Sequence, residues 1–288
     1  MMNSNFPKIF VVILNFNGKS TLLNCLTSVF QSDYPNFEIV VVDNNSDDGS
    51  FEQAKLNFSR SHFIKNSENI GFSKGNNIGI RFALEKFADY VFVLNNDTLL
   101  EKTTLSSLIK TAEKNTSAGI ISPLILTSDN NSIWFAGGKI VWEKMRAIHL
   151  TTKYSSIPYF SEYLSGCAML IKKEVFKKIG LFDERFFLYY EDADFSLRTR
   201  KAGFGLLVDP SAHIQHLEQS NSNGSKNYWL VLSGLLFFQT HSSLLWKLWL
   251  SPYLILRKMK NLFNIYIKKD VSATNVLQAY KDFKKLSK

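Results

Sequence analysis

Cysteine is nearly absent from this 288-residue chain: Cys25 and Cys167 lie far apart, with no CxxC spacing and no histidine set beside them. A disulfide scaffold and a zinc finger are thereby excluded, and a reducing compartment is expected. Long hydrophobic runs are also missing. No stretch reaches the ~18 apolar residues of a membrane-spanning helix. The first residues, MMNSNFPKIFVVIL, lack a charged segment followed by a small-residue cleavage site, so no signal peptide and a cytoplasmic location are expected. Acidic residues are scarce in one region only. Residues 1–220 hold 23 of each sign, whereas residues 221–288 hold 11 Lys and Arg against Asp270 and Asp282. The whole net charge of +9 therefore sits in the tail, which implies an anionic surface partner for that segment alone. A hydrophobic fraction of 45% with 20% charged residues gives ample core material, excluding a collagen-like or wholly disordered chain.

The first hundred residues alternate short apolar runs with helical patterns. KIFVVILNF (8–16), FEIVVVDN (37–44), 62–65 and ADYVFVLNND (88–97) read as buried strands, and 20–30 and 76–87 as helices, with a further helix start at Ser46-Asp47-Asp48. Continuously apolar strands separated by helices predict a parallel sheet covered on both faces. Functional residues then belong at the C-terminal strand ends, where Asn15, Asp43-Asn44-Asn45 and Asn95-Asn96-Asp97 stand. From 119 onward, GIISPLIL, SIWFAGGKIVW and EYLSGCAMLI follow without long helices between them, predicting a mixed or antiparallel region. Helices are expected at 173–179 and 192–201, then two short strands, FGLLVDP and AHIQH, with the body ending near Ser222.

Two phosphate-binding motifs fail. Gly18-Lys19-Ser20 lacks the glycine five residues earlier, where Ile13 stands, and Asn15-Phe16-Asn17-Gly18 is no GxGxxG. Other segments carry chemistry beside a plainer reading. Asp43 with its amides could accept from ribose hydroxyls or cap a helix. The loop 69–77 could bring backbone close to a phosphate or simply start a helix. Asp97 could hold a divalent cation or form an Asx turn. Tyr189-Tyr190-Glu191-Asp192-Ala193-Asp194 crowds three carboxylates, which raises a pKa, calls for a cation or meets a helix dipole. His216 could complete a metal shell with Asp97 or be structural.

In this order the segments VVILNFNG (11–18), VVVDNNSDDGS (40–50), NIGFSKGNN (69–77), FVLNNDT (92–98), the run 165–204 and the P-x-x-x-x-x-H ending at His216 resemble the family 2 glycosyltransferases, over roughly residues 8–222. The closest look is to the rhamnosyltransferase-like and galactofuranosyltransferase-like branch. The resemblance implies an α/β, GT-A fold: a Rossmann-like, mostly parallel sheet with a nucleotide-binding half (about 8–100), a mixed acceptor-side half (about 101–222) and a helical tail (223–288). It implies that Asn15, Asp43, Asn45, Asn69, Gly71, Gly75, Asn77 and Asn96 bind the donor nucleotide. Asp97, last acid of a DXD motif whose first acid is here Asn95, and His216 would bind Mg²⁺ or Mn²⁺. Asp192 would be the catalytic base, with Glu191 and Asp194 keeping it basic. Gly166 and Cys167 would shape the acceptor side, and Arg198 would meet the diphosphate or pair with the acids.

The implied reaction is inverting sugar transfer from a nucleotide-diphosphate sugar to a glycan or lipid-linked acceptor in cell-surface polysaccharide synthesis. dTDP-L-rhamnose is the favoured donor and a UDP-sugar, such as UDP-galactofuranose, the alternative. A non-catalytic sugar-nucleotide-binding scaffold is the reading from another class. A nucleotidyltransferase would want a glycine-rich basic loop that Asn15-Phe16-Asn17-Gly18 does not supply. In the tail, 228–238 and 244–256 are apolar runs, the second interrupted by Pro252. Trp246, Trp249 and Tyr253 with flanking lysines suit a helix lying on the inner face of an anionic membrane. Packing against the body or a homodimer contact is the alternative, and nucleic acid is not expected.

Overall fold

The computed structural model describes residues 6–129, 132–217, 224–270 and 272–286. In chain order, β1 (Ile9–Asn15), α1 (Leu22–Phe30), β2 (Phe37–Asp43), α2 (Ser50–Asn57), β3 (His62–Lys65), α3 (Gly71–Glu85) and β4 (Tyr90–Asn95) form the first half. β5 (Thr98–Leu100), α4 (Thr104–Lys114), β6 (Ala118–Leu126), β7 (Ile133–Phe135), β8 (Gly138–Val141), a 3₁₀ turn (Trp142–Lys144) and β9 (Arg146–His149) follow. β10 (Tyr159–Phe160), β11 (Ala168–Lys172), α5 (Lys173–Ile179), α6 (Glu191–Lys201) and β12 (Gly205–His216) complete the body. α7 (Gly224–His241), α8 (Leu244–Tyr266) and α9 (Ser272–Leu286) form the tail.

One sheet runs in the order β10-β12-β6-β11-β4-β1-β2-β3, with β5 on β12 and β7 on β6, while β8 and β9 make a separate hairpin. β3, β2, β1 and β4 are parallel, as their apolar runs predict: Ile9 through Ile13 and Val40 through Val42 have no exposed surface. β11 lies antiparallel between β4 and β6, and β12 is parallel to β6. The mixed region expected after residue 119 is this half of the sheet.

Register gathers the polar strand ends. Asn15 pairs with Asp43, and Leu14 with Asn95. The antiparallel β11 begins where β4 ends, so the Asn95 amide donates to the Cys167 carbonyl at 3.0 Å. β12 runs back along β5 with His216 opposite Thr98, and the Leu217 amide donates to the Asp97 carbonyl at 2.7 Å. Chain crossovers bring residues 15, 97, 167 and 216 to one edge.

Several elements differ from expectation. α3 begins at Gly71, not near residue 76, so the glycine and amide segment forms its first turns. The two strands expected at 204–216 are one strand, β12, with an irregularity between Asp209 and His213. α4 adds a helix where none was expected, whereas α9 lies within the tail expected to be helical. α8 continues through Pro252 to Tyr266. A proline removes one amide donor from a helix interior, but its position faces solvent here and the rest of the helix continues around it.

Candidate active site

A cavity of about 580 Å³ opens at the C-terminal edge of β1 and β4. It brings together nine of the expected residues: Asn69, Gly71, Asn96, Asp97, Gly166, Cys167, Glu191, Asp192 and His216. Asn15, Asp43, Asn45, Gly75, Asn77, Asp194 and Arg198 do not line it.

One wall is Asp97 and His216. Asp97 Oδ1 lies 3.3 Å from His216 Nε2, yet Asp97 Oδ1 and His216 Nδ1 are both buried without a hydrogen-bond partner. Leaving such atoms unpaired costs about 1–3 kcal/mol each, which marks places prepared for something else. Burial disfavours the His216 imidazolium, but Cys167 and Asp97 beside it outweigh burial and raise its pKa to about 11. The Trp134 ring packs edge-on against His216 with centroids 4.5 Å apart, fixing the imidazole plane. A carboxylate and an imidazole with orphaned buried atoms fit a divalent cation, which would take the place of the imidazolium proton. Among the described residues no three His, Cys, Asp or Glu side chains converge as a metal cage. A cation here would take Asp97 and His216 from the protein and the rest of its oxygens from ligand and water.

A second wall is the carboxyl pair at the start of α6. Asp192 Oδ2 accepts from the Gly166 amide at 3.0 Å and Oδ1 from the Ala193 amide at 2.7 Å. Glu191 is buried, and its Oε2 has no hydrogen-bond partner. Burial pushes both carboxyls above their ordinary range; at Glu191 the Asp192 charge adds to it, and at Asp192 the amide donors oppose it. The two carboxyls titrate as a pair, and the pair resists carrying two charges. Of the two neighbours expected to keep Asp192 basic, Glu191 stands beside it in the buried pair, whereas Asp194 points away. It is tied to Arg198 Nε at 2.8 Å and His241 Nε2 at 2.7 Å. Arg198 also donates to the Ile179 and Leu181 carbonyls, so of its two expected roles it takes the pairing one.

The chain enters α6 through Tyr189 and Tyr190 at φ 68° and 65°. Two consecutive left-handed side-chain-bearing residues cost roughly 1–2 kcal/mol apiece. The tail holds them in place. Ser233 Oγ donates to the Leu188 carbonyl at 2.7 Å, Trp229 stacks on Phe187 at 4.3 Å, and Phe237 packs on Tyr190 at 5.4 Å. Gly71, at φ 85°, lets this segment reach α3: a Cβ there would sit 2.6 Å from the Phe187 carbonyl oxygen.

Of the residues outside the cavity, Asn15 and Asp43 form the floor, the layer beneath Asn96. Asn15 Nδ2 donates to Asp43 Oδ1 at 2.7 Å and to Ser50 Oγ at 2.9 Å, and Asn15 Oδ1 accepts from Asn96 Nδ2 at 2.8 Å. Asp43 also accepts from the Ser46 amide and hydroxyl. Gly18 permits this approach, since a Cβ would meet Asn96 Nδ2 at 2.3 Å. Asn45 is exposed with φ 63°, and it is Asn44 that lines the cavity, donating to Asn69 Oδ1 and the Gly71 carbonyl. Gly75 lets α3 lie on Leu14, and Asn77 pairs with the Phe182 backbone. Trp134, His149, Phe187 and Lys226 also line the cavity and were not anticipated. Lys226 belongs to α7, and only the fold-back of the tail puts it there.

A family profile for glycosyl transferase family 2 matches residues 10–180. The chain belongs to that family and is a glycosyltransferase. It is 28% identical over 228 residues to the low-salt glycan biosynthesis hexosyltransferase Agl10 of Haloferax volcanii, covering 76% of this chain and 71% of that one. It is 28% identical to the dTDP-rhamnosyl transferase RfbF of Shigella flexneri, covering 75% and 70%. An N-acetylglucosaminyl-diphospho-decaprenol L-rhamnosyltransferase of Mycobacterium tuberculosis is 25% identical, covering 74% and 77%. These relatives make the branch rhamnosyltransferase-like. Among solved structures, GalNAc-T7 with UDP, GalNAc and Mn²⁺ superposes with a TM-score of 0.66 at 21% identity. The match covers 82% of this chain and about half of that one, 48%. The shared fold is GT-A.

Proposed function

We propose that the chain transfers L-rhamnose from dTDP-L-rhamnose, with inversion at the anomeric carbon, to a hydroxyl of a glycan or lipid-linked acceptor in cell-surface polysaccharide synthesis. The observation that carries this reading is a single cavity with two kinds of unsatisfied group. Asp97 and His216 have orphaned buried atoms on one wall, and a carboxylate of raised pKa, Asp192, stands at a strained helix entrance on another. The names of two relatives, a dTDP-rhamnosyl transferase and an L-rhamnosyltransferase acting on a diphospho-decaprenol, support the choice of sugar and acceptor.

Asp192 takes the proton of the acceptor hydroxyl as that oxygen bonds to the anomeric carbon and the bond to the diphosphate breaks. Its two amide donors orient the carboxylate, and burial keeps it basic enough to act near neutral pH. Two charges side by side are disfavoured there, so the Glu191–Asp192 pair retains a proton above the ordinary carboxyl range. A single displacement needs no enzyme nucleophile and inverts the centre. Mg²⁺ or Mn²⁺ held by Asp97 and His216 would offset the charge developing on the leaving diphosphate. Asn69, Gly71 and Asn96 line the cavity for the nucleotide, while Asn15 and Asp43 support them from below.

The test is a thermal shift of the full chain against dTDP, UDP, GDP and CDP, each with Mn²⁺ or with EDTA, since a ligand that binds only the native state stabilises it. A metal-dependent rise with dTDP is expected. A rise with UDP alone would transfer the reading to UDP-galactofuranose or another UDP-hexose, and no rise with any of the four would sink it.

A further inference from the structure

The tail helices differ in what covers them. α7 buries Leu235, Phe237 and Phe238 against the body. α8 is held by one face only: Trp246 stacks on Trp142, Trp249 Nε1 donates to the Glu143 carbonyl, and Tyr253 Oη donates to the Lys144 carbonyl. Opposite that face, Leu245, Leu248, Ile255, Met259, Phe263 and Tyr266 are 52% to 79% exposed. Their three-, four- and seven-residue spacing makes one continuous stripe along the helix. No described residue covers it.

The charge on this helix is of one sign. Residues 244–266 contain Lys247, Arg257, Lys258 and Lys260 and no acid, and Lys268 and Lys269 follow. At 100° per residue, Lys258 and Lys260 fall on opposite flanks of the stripe, both exposed. We infer that α8 docks this protein on an anionic lipid surface, with the stripe sunk at the level of the headgroups and the flanking lysines on lipid phosphates. The same charges argue against a second copy as the occupant, because stripe-to-stripe pairing would set lysine rows of like sign against each other. No described helix is long and apolar enough to cross a membrane, so α8 lies on the surface. Membrane docking does not rest on the proposed donor, and it is read without turnover.

Co-flotation of the full chain tests it, using vesicles of phosphatidylcholine alone and of equal parts phosphatidylcholine and phosphatidylglycerol. The chain is expected to float with the mixed vesicles and not with the neutral ones, with binding lost as salt rises. The double variant Leu248→Glu, Met259→Glu and the double variant Lys258→Glu, Lys260→Glu should each bind at least about tenfold more weakly, each lost lysine contributing about fivefold. Leu56→Glu, at an exposed leucine of α2, should bind as the parent does. All these positions face solvent, so melting temperatures should match and misfolding is separated from lost docking. Equal flotation with both vesicles, no flotation, or binding unchanged in both double variants would overturn the inference. So would a solution dimer that the Leu248→Glu, Met259→Glu variant dissolves without any vesicle binding.

Discussion

Two groups of polar side chains sit at the same edge of the sheet and look alike in sequence, yet they differ in hydrogen bonding. On the floor, Asn15 and Asp43 have no exposed surface, and their polar atoms are taken up by Ser46, Ser50, Asn96 and each other. On the walls, His216 Nδ1 and Glu191 Oε2 are buried with no hydrogen-bond partner, and Asp97 Oδ1 has only the His216 ring 3.3 Å away. A satisfied network stabilises the fold and holds its shape. An unsatisfied one carries a cost that only a ligand, a cation or a transferred proton can offset. Floor substitutions should therefore act on stability, and wall substitutions on chemistry and ligand binding.

The largest effect is expected at Asp192. Asp192→Asn cannot take a proton and keeps an acceptor for only one of the Gly166 and Ala193 amides, so kcat per folded molecule should fall by ~10²–10⁴, far beyond any loss in urea midpoint. A variant turning over at the parental rate would remove Asp192 as the base. Next, Asp97→Ala or His216→Ala should abolish the metal-dependent part of nucleotide stabilisation, about 2.7 kcal/mol at a ligand concentration a hundredfold above Kd. A shift that survives in both variants would place the cation elsewhere.

Asp43→Asn should behave oppositely. It strands the Ser46 and Asn15 donors and should cost about 1–3 kcal/mol of folding stability by urea titration, with a smaller change in kcat per folded molecule than at Asp192. Intact stability with lost nucleotide affinity would instead give Asp43 a direct ligand contact and break the distinction between floor and wall.

The smallest effect concerns pH. A carboxyl whose pKa is raised on folding binds its proton more tightly in the native state. Stability contributed there is full below the unfolded value, 4.5 for Glu191, and declines as pH rises through the folded one. Glu191→Gln should flatten that decline in urea titrations between pH 4.5 and neutrality. In the parent enzyme the acid limb of kcat should lie above the ordinary aspartate value of 3.8.

Much of the donor half was legible because buried parallel strands announce themselves as unbroken apolar runs, and their polar ends mark the ligand edge. α4 was harder to see. Leu105, Leu108, Ile109 and Ala112 have helical spacing, but the polar residues between them dilute the signal. α3 began earlier than expected because glycines and asparagines suggest a loop; Gly71, Gly75 and Gly79 are there for close approach to Phe187, Leu14 and Val12. Asn44 rather than Asn45 faces the cavity because one residue of turn geometry reverses the side chain, and sequence does not fix that.

The sequence by itself determined the order of strands and helices, the acids and amides at the strand ends, and the charge asymmetry of the tail, since each depends on residue type and local spacing. Only the tertiary structure decided which of those polar groups are satisfied. That depends on partners such as Asn15 and Asn96, or Asp194 and His241, that meet across long stretches of chain. It also decided that α7 braces Tyr189 and Tyr190 while α8 keeps its apolar stripe in solvent. Two apolar helices are told apart by what they pack against.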